Sequence, residues 1–115
     1  MITVDDNNPT PPFEQIRSQL SAQILIGVLA DGDRLPSVRQ LAIDLGLAPG
    51  TVARAYSILE ADALIESRRG AGTRVRHQSS HSRTLVPETE RFIGEARANN
   101  LTLEQTVQII RATWA

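Results

Sequence analysis

The chain has 115 residues, 12 basic and 13 acidic side chains, and a formal net charge of −1 at pH 7. It contains no cysteine, which excludes disulfides, thiolate zinc sites and cysteine nucleophiles. The longest apolar run, Ile24 to Ala30, is far too short to span a membrane, and the acidic, proline-rich start lacks a signal-peptide core; a cytoplasmic protein is expected.

Ile2 to Val4 reads as a short extended segment, followed by an Asn/Pro-rich turn region that ends at Pro12. Phe13, Ile16, Leu20 and Ile24 are then spaced at three, four and four. That spacing predicts an amphipathic helix running to about Gly27 or Leu29, bracing the next two helices from behind. Ala30-Asp31-Gly32-Asp33 is turn chemistry and delivers the chain to Leu35-Pro36.

Leu35 to Tyr56 predicts two short helices around a tight turn. Ser37 as N-cap with Gln40 three residues on forms a capping-box signature, and Val38, Leu41, Ala42 and Leu45 follow at helical spacing. Gly46 ends that helix at low cost because it tolerates positive φ, and Pro49 starts the next, where its missing N–H is no loss. On the second helix Val52, Ala55, Tyr56, Leu59 and Ala63 fall on one side, and Gly50, Arg54, Ser57 and Ala61 on the other. A core face opposite a small outer face lets the helix backbone approach another surface, with its N-terminal dipole available to phosphates. Such a helix suits a DNA major groove, although helical corners of this kind commonly only pack.

Leu64 to Arg69 and Thr73 to Arg76 flank Gly70-Ala71-Gly72 and predict a β-hairpin, a wing, with Ile65, Val75 and Leu64 inward. Arg69, beside the glycine turn, is placed to reach a phosphate or a minor groove. Charge follows the same division of the chain. Between residues 34 and 76, Arg34, Arg39, Arg54, Arg68, Arg69, Arg74 and Arg76 outnumber Asp44, Glu60, Asp62 and Glu66 by three, whereas residues 1–33 carry a net −4.

From Pro12 to Val75 the chain resembles the winged helix-turn-helix domain of the GntR family of bacterial transcription regulators. The resemblance rests on Pro12-Phe13, Gln15-Ile16, Gly32 with Arg34-Leu35-Pro36-Ser37 and Arg39, and Leu41-Ala42 with Leu45-Gly46. It continues through Thr51-Val52, Ala55-Tyr56, Leu59, Leu64-Ile65 and Gly70-x-Gly72-Thr73 with Val75. It implies DNA contact at Arg39, Thr51 and Gly70. With Arg54 and Arg69 from residue chemistry, the expected DNA-binding set is Arg34, Ser37, Arg39, Pro49, Gly50, Thr51, Arg54, Arg69, Gly70 and Gly72. One departure matters: many members carry a polar residue and then arginine at the start of the recognition helix, where this chain has Ala48-Pro49. Loss of that contact removes about 1 to 3 kcal/mol of base discrimination and shifts readout to Arg39, Thr51, Arg54 and DNA shape.

Residues 77–83 read as a polar linker, so the expected division is 1–76 winged domain, 77–83 linker and 84–115 a two-helix region. His77 and His81 are four apart but lack a neighbouring carboxylate or cysteine, and no metal site or cofactor is expected. A helix from about Pro87 to Ala98 carries Phe92, Ile93 and Ala96 on one face. Asn99-Asn100 breaks it, and Thr102 to Gln105 repeats the capping-box signature before a stripe of Leu103, Val107, Ile110 and Trp114. The stripe needs cover, either by folding back on the winged domain or by pairing with a second chain; a terminal Trp114 favours the dimer. The resemblance implies the same, since short C-terminal extensions of this kind resemble the YtrA-like group, whose two C-terminal helices dimerise.

The expected fold is therefore mainly α with a small β-hairpin, a winged helix-turn-helix followed by a two-helix extension. The expected function is a homodimeric repressor of transcription on a palindromic double-stranded operator. A winged helix used only for protein contact is the alternative. No enzyme is expected, because no phosphate-cradling loop or catalytic constellation occurs, and no pattern marks a small-molecule effector site.

Overall fold

The computed structural model describes residues 2–77 and 82–115. The chain divides into two compact units, Met1–Ser80 and His81–Ala115. The element order is α1 (Pro12–Leu25), β1 (Arg34–Leu35), α2 (Val38–Leu45), α3 (Pro49–Ala61), β2 (Ile65–Arg68), β3 (Gly72–Val75), α4 (Ser82–Ala98) and α5 (Leu103–Thr113). Among the described residues no helix is long and apolar enough to cross a membrane.

In the first unit α1, α2 and α3 enclose a core that the sheet closes. Ile16, Leu20 and Ile24 of α1 meet Leu41 and Ala42 of α2 and Val52, Ala55, Tyr56 and Leu59 of α3, with Leu35, Ile65 and Val75 from the strands. The apolar spacing of α1 is thus a core face. The helix stops at Leu25, earlier than the apolar run suggests, because Gly27 takes φ 84 and turns the chain.

The N-terminal segment is held by side-chain amides rather than by strand pairing. Gln15 accepts from the Asp5 N–H at 2.8 Å and donates to the carbonyls of Asp5 and Thr10. Gln19 does the same for both backbone groups of Thr3, which brings Ile2 into the core. Two amides on α1 satisfy backbone groups that would otherwise need a neighbouring strand.

The sheet has three strands in the order β1-β3-β2, all antiparallel. The hairpin is as the sequence predicts, with Ile65 opposite Val75 and both buried. β1 is additional. Arg34 and Leu35 pair with Arg74 and Thr73, and the preceding turn is bonded to the same strand through Gly32 N–H to the Val75 carbonyl and Val75 N–H to the Asp33 carbonyl. Two residues ahead of a proline carry no local strand pattern; their partner strand lies about forty positions on.

Three local expectations are corrected. Ser37 caps α2 by accepting from the Gln40 N–H at 3.0 Å, but Gln40 donates its side chain to Asp44 at 2.7 Å, so the reciprocal half of the capping box is not made. Ala63 is not on the core face of α3. The helix ends at Ala61, and Ala63 is exposed at φ 60 in the turn to β2. In the second unit α4 begins at Ser82 rather than at Pro87, and Pro87 lies inside it. As the sixth residue of the helix, Pro87 lies past the first four positions whose N–H groups lack an intrahelical acceptor, so it forgoes one backbone hydrogen bond of α4.

The second unit is a helical pair. Asn100 at φ 60 turns the chain, and Thr102 with Gln105 forms a complete capping box on α5. Among the described residues of this unit the buried side chains are Ala96 and Thr106, both small, and most of the large apolar side chains stay outside.

Candidate nucleic-acid interface

The recognition helix α3 is fixed from three directions. Its apolar face is buried, Gly46 at φ 67 and ψ 34 sets the corner with α2, and the Tyr56 hydroxyl donates to the Pro36 carbonyl at 2.7 Å. Burial pushes the Tyr56 phenol up to about 12, so it remains a neutral donor across physiological pH. This bond ties the middle of α3 to the turn that starts α2, holding the two motif helices in register.

Pro49 and Gly50 at the first turn of α3 are exposed, and Thr51 is half-buried. Ala48 at the N-cap has no side-chain oxygen to cap the helix, so no side chain occupies its dipole end. Gly50, Arg54, Ser57 and Ala61 are all exposed, as the face pattern predicts. The Arg54 guanidinium lies 3.8 Å from the ring centroid of Phe13 on α1, a cation–π contact that steadies the one long side chain on this face. That contact was not legible in the sequence, where Phe13 read simply as a core position.

Arg39 is exposed on the first turn of α2, and Arg69 is exposed at the wing turn; neither has an ion-pair partner among the described residues. Ser37 is exposed but its oxygen is already engaged as the cap of α2. In the wing, Gly70 takes φ 83 and Gly72 φ 75, conformations that favour glycine. A Cβ on Gly72 would come within 3.2 Å of the Arg34 guanidinium, so Arg34 lies directly across the wing glycine.

The other face of the sheet is charged. Arg34, Arg74 and Glu66 stand in register across the three strands, with Arg68 opposite Gly72 and Arg76 following β3. Glu66 bonds Arg68 at 2.5 Å and also pairs with Arg76. The hydrogen bond from Arg68, with the charges of Arg68 and Arg76, holds the Glu66 carboxyl below the usual carboxylate range.

The second unit exposes the residues expected to dimerise. Leu103 is 73%, Ile110 45% and Trp114 83% exposed; Phe92 and Val107 are half-buried. Ala96 is buried within the helical pair. Trp114 follows the end of α5 in an extended conformation rather than continuing the helical stripe. Phe92, Ile109, Ile110, Thr113 and Trp114 line one apolar groove, and Ile93 and Leu103 line another with Ala96. Ile109 was missed because the four-three-four spacing selects Ile110 and passes over its neighbour. His77 is half-buried, and His81 lies outside the described residues, as does most of the expected linker.

Comparison with known proteins decides the family. Residues 12–75 match the model of bacterial regulatory proteins of the gntR family. The chain belongs to the GntR family. It is 36% identical to the HTH-type transcriptional regulator Rv1152 of Mycobacterium tuberculosis over 109 residues, 95% of this chain and 90% of that one. To the HTH-type transcriptional repressor YtrA of Bacillus subtilis it is 41% identical over 88 residues, 76% of this chain and 65% of the other. The solved structure of YtrA from Sulfolobus acidocaldarius, a GntR-family transcription factor, superposes with a TM-score of 0.61 at 30% identity, covering 96% of this chain and 94% of that one. This GntR-family chain is thus a YtrA-like, DNA-binding transcription regulator with a winged helix-turn-helix.

Proposed function

We propose that this GntR-family regulator acts as a homodimeric repressor, reading a palindromic operator in the cytoplasm through α3 and the wing. The observation that carries the reading is the exposed, uncapped first turn of α3, with Arg39 exposed on α2 and Arg69 exposed at the wing turn. The open first turn of α3 and the exposed Arg39 and Arg69 supply a dipole end and guanidinium donors suited to phosphates and guanine edges. Arg39, Thr51, Arg54 and Arg69 are the principal contacts, supported by Arg34, Ser37, Pro49, Gly50, Gly70 and Gly72. With Ala48-Pro49 at the helix start, sequence discrimination rests chiefly on Arg39 and the wing.

Dimerisation through α4 and α5 is supported by the exposure of Ile93, Leu103, Ile110 and Trp114, apolar surface that pairing with a second copy would cover. The repressor role is supported by the likeness to a relative named a repressor. Gel-shift titration on DNA upstream of the protein's own gene tests the reading. Binding to that DNA at moderate salt is expected to exceed binding to random duplex by a factor on the order of a thousand or more. Equal affinity for the two would overturn specific recognition, and retained binding of a protein partner by Arg39→Ala, Arg69→Ala with duplex binding unchanged would favour a protein-contact module.

A further inference from the structure

The outer face of the wing sheet holds more positive charge than its architecture uses. Arg34 and Arg74 are direct partners across an antiparallel pair, the arrangement in which like charges repel. The carboxylate in that row, Glu66, sits opposite Arg74 on the other side, but its ion pairs go to Arg68 and Arg76. Among the described residues Arg74 donates only to the Gly32 carbonyl at 3.1 Å, a neutral acceptor. Four guanidinium groups therefore stand on a face with one carboxylate, which pairs with two of them, and Arg68, Arg74 and Arg76 line a concavity with Glu66 and Gly72.

We propose that this face is a second DNA-backbone contact, binding phosphates that flank the site read by α3 and the wing turn. Charge complementarity selects the occupant: guanidinium groups match phosphate oxygens bidentately, and among the described residues no carboxylate forms an ion pair with Arg34 or Arg74, although Asp31 lines a concavity beside Arg74 and Arg76. Extent selects duplex over a small anion. From Arg34 on β1 through Arg74 on β3 to Arg68 on β2, the guanidinium-bearing face spans three strands, about 10 Å at the usual strand separation. Its donors are open to solvent, Arg68 being 67% and Arg76 55% exposed. A small anion needs enclosing, desolvated donors, whereas a polyanion binds open arginines through the release of its counterions. The proposal rests on the DNA-binding reading but extends it from Arg34 to Arg68, Arg74 and Arg76, a face that adds affinity without sequence preference.

The test is the salt dependence of binding to a random-sequence duplex by the full chain, compared with Arg74→Gln, Arg76→Gln and with Arg74→Lys, Arg76→Lys. The slope of log affinity against log salt is expected to fall by roughly 2 in the glutamine variant, about 0.9 per lost phosphate contact, and to be retained in the lysine variant. The ratio of operator to random affinity should stay unchanged. An unaltered slope in a glutamine variant with wild-type melting behaviour overturns the proposal. So does an equal loss of slope in both variants, which would mean a structural role. Perturbation of the Arg74 side-chain resonance by tripolyphosphate, with the duplex slope unchanged, would make the face a small-anion site and also overturn it. Failure of specific recognition is read separately, from the wild-type operator-to-random ratio.

Discussion

Replacing Phe13 with leucine should weaken operator binding although Phe13 lies on α1. The ring holds the Arg54 guanidinium at 3.8 Å, so the arginine is already ordered on the outer face of α3 before DNA arrives. Leucine keeps an apolar, half-buried side chain at the position but removes the π-face. A partly exposed cation–π contact is worth about 0.5 to 1 kcal/mol, and immobilising a rotamer-rich side chain on binding costs a similar amount. Losing that order therefore predicts about a two- to fivefold rise in Kd for the operator. The assay is an equilibrium gel shift with Phe13→Leu, Arg54→Ala and the double variant, with circular dichroism to confirm the fold. If Phe13 acts through Arg54, the double variant binds no more weakly than Arg54→Ala alone. Fully additive losses would refute this coupling, because Phe13 would then affect binding by another route.

Three further substitutions have defined outcomes. Tyr56→Phe removes the hydroxyl bond to Pro36 and should lower unfolding stability by about 1 kcal/mol in chemical denaturation. Because folding raises the Tyr56 pKa from 10 to about 12, its contribution is intact below pH 10 and lost as pH rises towards 12; the alkaline fall of the denaturation midpoint should shrink in Tyr56→Phe. Ala63→Gly relieves a left-handed conformation and should raise stability by roughly 1 kcal/mol, measured by urea unfolding. Trp114→Ser should shift the protein from dimer towards monomer in sedimentation equilibrium while leaving the first unit folded; an unchanged association constant would remove Trp114 from the interface.

The helix-turn-helix was legible because its signals are local. The Ser37 cap, the Gly46 corner, Pro49 at the start of α3 and the face pattern through Leu59 all act within a few residues, and the structure follows each of them. The wing was legible for the same reason, since alternation and the glycines between its strands mark a hairpin. What escaped the sequence depends on long-range pairing. β1 exists only because β3 passes beside it, and Gln15 and Gln19 look like ordinary polar positions until the N-terminal segment supplies backbone groups to bond. Arg54 against Phe13 and Arg34 across Gly72 likewise arise from elements meeting in space, so the arginines could be counted in advance but their settings could not. Ala63 failed for a different reason: helical spacing carried past Ala61, although the helix stops there and the next residues turn into β2.

Hydroxyl-radical footprinting of the wild-type protein on the promoter upstream of its own gene tests the central claim most directly, because it reports site, symmetry and spacing together. Two protected half-sites should appear, related by inverted symmetry and centred about one helical turn, ~34 to 36 Å, or a multiple of it apart, and Arg39→Ala should abolish them. Uniform weak protection along the fragment, or a single unsymmetrical site unaffected by Arg39→Ala, would contradict recognition by a symmetric pair of winged helices.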